Sequence, residues 1–182
     1  MRIPILSFAL ALAAMTPPPA DVQIEPTPRQ WEQSSSSKHD RGFAGKLLMT
    51  PDADWWEKWD TPSHTTPHFS STDRLMIGDS ATLMIFFANP RRDPTGGVDV
   101  LVDIKVTRGD GSVSIDEKAI PCLQGPMEGS PTQIRLCESQ IVFVAEPNDP
   151  LGVWRFEVRL HDAVRRVDLD LEVEVELVDP ET

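Results

Sequence analysis

The feature that most constrains the fold is a strict alternation of apolar and acidic residues near the C-terminal end of the chain. From Val167 to Leu177 every second residue is Val or Leu, and every residue between them is Asp or Glu. Successive side chains of a β-strand point to opposite faces, so this spacing predicts a long strand with one buried and one solvated face. The segment from Val153 to His161 alternates in the same way, so the two segments are predicted to form a hairpin.

The register of that hairpin follows from keeping both apolar sets on one face. With a loop over Asp162 to Arg165, Leu160 is predicted to lie opposite Val167 and Arg155 opposite Glu172. A slip of one residue would turn the whole apolar set toward water, so such a slip is strongly disfavoured.

Short strand candidates follow one another through most of the chain, and Gly, Pro and Asp separate them. They cover residues 43–49, 81–88, 98–107, 113–121, 133–145, 153–161 and 167–178. No helical pattern longer than about three turns lies between them. The chain is therefore predicted to be an all-β antiparallel sandwich.

The segment 146–158, which has the sequence EPNDPLGVWRFEV, carries a resemblance. It resembles the Pro/Gly turn and the aromatic-bearing strand of bacterial immunoglobulin-like or fibronectin-III-like domains. The resemblance covers about a dozen residues and implies an immunoglobulin-like sandwich. It implies no activity, because sandwich folds host many unrelated functions.

The N-terminal residues have the pattern of an export signal. Met1 and Arg2 are followed by the apolar stretch Ile3 to Met15, and small residues such as Ala14 and Ala20 suit cleavage. Residues 1–20 are predicted to be a cleaved signal peptide, with an uncleaved anchor as the alternative. No later segment is long and apolar enough to cross a membrane. We therefore expect a bacterial periplasmic or secreted protein.

The next segment, residues 21–42, is rich in proline and serine and is predicted to be a disordered spacer. The sandwich domain is expected to cover residues 43–182, with residues 43–73 as a strand and a short helix appended to it. That helix begins near Thr50 and ends before Pro62.

The chain has two cysteines, Cys122 and Cys137. In an exported protein such a pair predicts a disulfide, and closing a loop of this length contributes about 3 kcal/mol in the chain-entropy model. Two buried free thiols are the alternative. A metal or redox role is not predicted, because the chain has no Cys-x-x-Cys motif and no clustered histidines.

Three tryptophans, Trp55, Trp56 and Trp59, lie in the predicted helix. Trp55 and Trp59 are four residues apart and share a helix face, so Trp56 is expected to point elsewhere. One interpretation buries the indoles where the helix crosses an open end of the sandwich. The alternatives are an anchor for a protein partner and a platform for sugar rings.

An acidic row is predicted on the outer face of the last strand, formed by Asp168, Asp170, Glu172, Glu174 and Glu176. Same-face carboxylates lie about 7 Å apart along a strand, which is too wide for successive members to share a calcium ion. We expect either a solvated face that discourages aggregation or a docking surface for a basic partner. The net charge of -12 argues against nucleic acid as a partner.

Motifs that signal catalysis are missing from the chain, so it is predicted not to be an enzyme and to need no cofactor. His161 beside Asp162 has no nucleophile motif near it and is interpreted as a turn residue. His64 and His68 have the separation of a metal pair, but Pro67 disfavours a helix there, so no metal site is predicted.

The leading hypothesis is a non-catalytic periplasmic protein that binds a basic envelope or secreted protein. An accessory protein, an inhibitor or an immunity-type factor would fit that description. The alternative is a cell-wall or glycan-binding module that uses the tryptophans, and an enzyme with an unrecognised site comes third.

Overall fold

Two five-stranded sheets face each other and enclose one hydrophobic core. The computed structural model describes residues 31–61 and 67–179. The predicted signal peptide and the first part of the predicted spacer lie outside these residues, so both stay predictions. The predicted fold class, an all-β immunoglobulin-like sandwich with a short N-terminal helix that bears tryptophans, is confirmed.

Sheet A contains β1 (Ser37–Asp40), β2 (Phe43–Thr50), β4 (Ser80–Ala88), β7 (Arg135–Leu136) and β8 (Ile141–Val144). Sheet B contains β3 (Arg74–Met76), β5 (Gly97–Thr107), β6 (Val113–Pro126), β9 (Gly152–Asp162) and β10 (Val167–Val178). Sheet A has the order β1-β2-β4, with β7 and β8 both paired to β4, and sheet B has the order β3-β10-β9-β5-β6. The β3–β10 pair is parallel, and the other described pairs are antiparallel. The helix α1 (Trp55–Trp59) lies between β2 and β3 in the chain.

The core lies between the sheets, and the C-terminal hairpin supplies much of it. Two of its inward residues, Phe156 and Leu160, are at most 1% exposed and belong to the same buried cluster as Phe43 and Phe87 of sheet A. Gly45 of β2 has no space for a side chain, because a Cβ there would lie 2.9 Å from Cδ2 of Leu160. The alternation of the sequence is thus realised as one buried face.

The predicted register of the C-terminal hairpin is wrong by two residues. Leu160 lies opposite Leu169, and Arg155 lies opposite Glu174. The strands continue to Asp162 and Val167, so the turn covers residues 163–166. A shift of two residues leaves every side chain on its predicted face, so the hydrophobic pattern alone cannot distinguish the two registers.

Other predicted boundaries also change. The predicted strand 133–145 is wrong as one element, because it is divided into β7 and β8, with residues 137–140 between them. The short strands β1 and β3 were not predicted, and the helix begins at Trp55 rather than near Thr50. Thr50 instead accepts a hydrogen bond from the Asp52 N–H at 3.2 Å, in the turn before the helix.

The predicted spacer is wrong over residues 31–42. Trp31 is 7% exposed, and β1 pairs along its whole length with β2. The Glu172 N–H donates to the Ser35 carbonyl at 2.8 Å, which fastens this segment to β10 as well. These residues therefore belong to the folded domain.

The predicted disulfide between Cys122 and Cys137 is confirmed. Cys122 lies in β6 of sheet B, whereas Cys137 follows β7 and donates its N–H to Ile85 of sheet A at 2.8 Å. Both cysteines are at most 1% exposed. The bond therefore joins the two sheets along one side of the sandwich.

Candidate functional site

The helix α1 covers the outer face of sheet A rather than an open end of the sandwich. A second apolar cluster lies there, with Trp31, Met84 and Phe86 buried in it. Trp55 and Trp59 pack against this cluster and are half-buried, and the ring centroids of Trp59 and Phe86 are 5.6 Å apart. These two indoles therefore hold the helix on the sheet.

Trp56 points away from the sheet and is 56% exposed. Its ring meets the ring of Trp55 edge to face, with centroids 5.6 Å apart and an angle of 87° between the planes. The helical spacing of the sequence had separated Trp56 from the other two in this way. A large exposed indole on an ordered helix is a typical anchor for a partner.

Ion pairs and a hydrogen bond around Asp52 hold the helical segment in place. Lys58 Nζ lies 2.8 Å from one carboxylate oxygen of Asp52 and 2.9 Å from the carboxylate of Asp54, and the Ser70 N–H donates to Asp52 at 2.9 Å. The hydrogen bond from Lys58, followed by that from Ser70, lowers the pKa of Asp52 from 3.8 to about 2. The Asp52 carboxylate therefore stays charged, and its ion pair with Lys58 persists, well below neutral pH.

A groove of about 220 Å³ separates the helical segment from the edge of sheet A. Trp55 lines one wall, and Thr82 and Val142 line the other. Val142 and Val144 point outward from β8 and are 62% and 52% exposed. The groove has Val142 opposite Trp55, Trp56 contacts Trp55, and Val144 lies on the same face of β8 as Val142. We call these four residues the Trp56 surface. Sequence reasoning missed the two valines, because their exposure depends on β8 being at an edge.

The Trp56 surface has an acidic border. Between Asp52 and Asp60 the chain carries four carboxylates and one lysine. That lysine is shared by Asp52 and Asp54, whereas Glu57 has no ion pair among the described residues. An apolar surface with this border favours a partner that combines apolar and basic side chains.

The predicted acidic row lies on the outer face of sheet B, where arginines of the neighbouring strands pair with four members and His161 forms a hydrogen bond with the fifth. The pairs are Asp168 with His161 at 2.9 Å, Asp170 with Arg159 at 2.5 Å, Glu172 and Glu174 with Arg155 at 3.6 and 2.8 Å, and Glu176 with Arg74 at 3.9 Å. Most of these side chains are about half exposed, so each pair adds little stability. Their local neutralisation weakens the row as a docking site for a basic partner.

His161 lies in β9, so its interpretation as a turn residue is wrong. Its ring is held between Asp168, 2.9 Å from Nδ1, and Asp103, 3.3 Å from Nε2. Burial raises the pKa of Asp103, but the Ala119 N–H and His161 outweigh it, so the pKa lies below its usual value. Sequence reasoning missed Asp103, because only the fold brings β5 beside β9.

A shallow groove of about 390 Å³ crosses the same face of sheet B. Its charged lining mixes both signs, with Lys38, Lys105, Lys118 and Arg159 beside Asp103, Glu157, Asp170 and Glu172. Ser35 is the hydroxyl residue of the lining, and its carbonyl accepts a hydrogen bond from the Glu172 N–H. The groove thus shows no activated nucleophile in the described part of the chain.

The histidine pair considered as a metal site is described only in part. His64 lies outside the described residues, and His68 is exposed. No group of three metal-ligating side chains occurs within residues 31–61 and 67–179. Across the same residues no helix is long and apolar enough to cross a membrane.

Comparisons with known proteins give distant structural likenesses. No protein-family model and no curated protein sequence matches the chain. A family 123 glycoside hydrolase from Clostridium perfringens is 9% identical with a TM-score of 0.41, and the match covers 74% of this chain but 27% of the hydrolase.

Two smaller domains are similar at the same level. A CARDB domain from Pyrococcus furiosus, solved with di-metal ions, is 12% identical with a TM-score of 0.38, and the match covers 81% of this chain and 99% of that domain. A PKD domain of an M14-like peptidase from a Thermoplasmatales archaeon is 16% identical with a TM-score of 0.29, and the match covers 59% and 88%. Both are immunoglobulin-like sandwiches. Similarity at this level says nothing about activity.

Proposed function

We propose that this chain is a non-catalytic exported protein that binds another protein through the Trp56 surface. The observation that carries the proposal is Trp56 itself, an indole 56% exposed on a helix that its neighbours fasten to sheet A. Exposed apolar patches mark interaction sites, and tryptophan is enriched among the residues that dominate protein binding. The nearby valines extend the apolar area.

The partner is proposed to be an envelope or secreted protein with a basic surface. The chain carries a net charge of -12, and the carboxylates around Trp56 outnumber the one lysine there. Complementary charge would speed association with a basic partner and select against acidic ones. An accessory protein, an inhibitor or an immunity-type factor fits this chemistry.

Export to the periplasm or beyond is part of the same proposal. The buried disulfide supports it, because such bonds persist in oxidising compartments and are rare in the cytosol. The signal pattern of residues 1–20 agrees with this location.

A cell-wall or glycan-binding module is the second candidate. The exposed ring of Trp56 favours it, because flat aromatic surfaces suit sugar rings. Trp55 and Trp59, however, are engaged with sheet A, so the predicted platform of three indoles reduces to one. A single indole with apolar valines beside it fits a protein partner better.

Trp56→Ala is expected to weaken partner binding by about 10-fold or more, with the fold intact, because the exposed indole is a hot-spot residue. The partner is first captured from native envelope extract with tagged residues 21–182 and then measured by titration. Glu174→Gln serves as the matched control on sheet B and is expected to bind as the unchanged chain does. Loss of binding in Glu174→Gln with none in Trp56→Ala contradicts the proposal. Binding of purified cell wall that Trp56→Ala abolishes would favour the glycan candidate.

A further inference from the structure

The edge strand β8 is short, with four residues, but it lacks the charges, prolines and bulges that protect other sheet edges. Natural edges carry charged residues, prolines or bulges. Among the described edge strands, β1 has Lys38 and Asp40, β3 has Arg74, β7 has Arg135, and β6 has Pro121 together with three register shifts. The sequence of β8 is Ile-Val-Phe-Val, with no charge and no proline.

The backbone of β8 directs hydrogen-bonding groups away from the sandwich. The Ala145 N–H donates to the Asp79 carbonyl at 2.9 Å, and this bond shows which residues of β8 direct their backbone groups toward β4. In an antiparallel ladder the bonded pairs alternate with unbonded ones, so Phe143 bonds to β4 while Val142 and Val144 do not. The N–H and C=O groups of Val142 and Val144 therefore point to the open edge. Within the described residues no strand pairs there.

Carboxylates stand at both ends of this apolar edge. Glu138 precedes β8 and Glu146 follows it, and both are exposed. Neither forms an ion pair within the described part of the chain. An incoming strand would thus meet two valines in its centre and a negative charge at each end.

We propose that β8 binds the partner by strand addition, taking an extended segment with two apolar residues in alternate positions and Lys or Arg at its ends. The apolar residues would lie against Val142 and Val144, and the basic residues would face Glu138 and Glu146. Main-chain hydrogen bonds supply affinity in this mode, while side chains supply specificity. This inference rests on the proposed function, and it names the shape and charge of the segment that the Trp56 surface receives.

A capped seven-residue peptide tests the inference, with valine-threonine-valine in its centre and two lysines at each end. The probe is titrated into the isotope-labelled chain of residues 21–182 at low salt, and amide shifts are read by NMR. We expect saturable shifts centred on residues 141–145. N-methylation of the two valines is expected to weaken binding at least 10-fold, because each methyl group removes one main-chain donor. Replacing the lysines by glutamates is expected to abolish binding.

Two variants separate backbone pairing from apolar contact. Val144→Pro removes an N–H that faces the open edge, a place where proline is tolerated in strands. Val144→Thr keeps the N–H and the branched shape. We expect Val144→Pro to lose peptide and partner binding and Val144→Thr to keep most of both. Equal binding by the two variants overturns strand addition.

The outcomes distinguish this inference from the proposed function. If Trp56→Ala loses the partner while Val144→Pro binds it like the unchanged chain, strand addition is overturned and the proposed function stands. If both variants bind the partner like the unchanged chain, both proposals fail. A dimer of this chain in sedimentation that Val144→Pro dissociates would mean that a second copy occupies the edge, which also overturns the inference.

Discussion

Replacing Asp162 with alanine is expected to lower the free energy of unfolding by about 3–5 kcal/mol, because it breaks a buried ion pair. Asp162 and Arg165 have side chains that are 0% and 6% exposed. One carboxylate oxygen of Asp162 accepts from Arg165 Nε at 3.2 Å and from the Arg91 N–H at 2.8 Å, and the other accepts from the Arg165 N–H at 2.9 Å. Without Asp162 the Arg91 N–H, the Arg165 N–H and Arg165 Nε lose the carboxylate that accepts from them.

The pair matters because it fastens three loops at one end of the sandwich. Arg165 also donates to the carbonyls of Asn89 and Arg41, and the Asn89 side chain donates to the Gly42 carbonyl at 2.9 Å. The turn of the C-terminal hairpin is thereby joined to the β1–β2 turn and to the segment after β4. Loss of Asp162 is therefore expected to loosen all three loops.

Urea unfolding of Asp162→Ala, followed by tryptophan fluorescence, measures the effect. Asp168→Ala on the same hairpin is the matched control, because its side chain is 60% exposed and its pair with His161 is worth at most about 1 kcal/mol. If Asp162→Ala does not fold, Asp162→Asn retains an acceptor oxygen and allows the measurement. Equal stability of Asp162→Ala and Asp168→Ala would show that the buried pair does not hold the loops.

Removal of the disulfide is expected to cost about 3 kcal/mol in the chain-entropy model for a loop of this length. The cysteines are 15 residues apart, and the bond joins β6 of sheet B to the end of β7 in sheet A. The loop they close contains the buried Met127, and directly after the loop the Glu138 N–H donates to the Cys122 carbonyl at 3.0 Å. Without the bond, this side of the sandwich keeps the two-residue pairing of β7 with β4 and the hydrogen bonds that Glu138 and Ser139 donate to β6.

Unfolding of the double variant Cys122→Ala/Cys137→Ala gives the size of this effect. The unchanged chain unfolded and refolded under reducing conditions is the control, because it lacks the covalent bond but keeps both sulfur atoms in the core. Both are expected to be less stable than the oxidised chain by similar amounts. A free energy of unfolding within about 1 kcal/mol of the oxidised chain would mean that packing, without the disulfide, holds this side of the sandwich together.

The period-two pattern predicted the faces of the strands but not their pairing. In β10 the residues predicted to point inward are buried with the exception of Val173, which is half-buried. The register depends on the turn, where Asp162 accepts from the nearby Arg165 N–H and also from the Arg91 N–H, which lies 71 residues away in the chain. A pattern within one segment contains no information about such partners.

Short elements were missed for a related reason. The strands β1 and β3 have four and three residues, and each exists because a longer strand lies beside it. Neither has an alternation long enough to indicate a strand. The proline- and serine-rich composition predicted a spacer, so the prediction missed Trp31, an apolar residue that packs on sheet A.

The candidate site was predicted in part. Helical spacing separated Trp56 from Trp55 and Trp59, and this separation is the feature that leaves one indole exposed. The valines of β8 could not be recognised, because the sequence does not reveal that β8 is an edge strand, paired with β4 on one side and with no described strand on the other. The acidic row was recognised, but the arginines that neutralise it depend on a register that the sequence leaves open.

The most direct test of the Trp56 surface is amide hydrogen exchange of residues 21–182, alone and with the captured partner. We expect slower amide exchange on binding at residues 53–59 and 141–145, and unchanged amide exchange in β9 and β10. Exchange that slows in β9 and β10 but not around Trp56 and β8 would contradict the account and move the binding site to the charged face of sheet B.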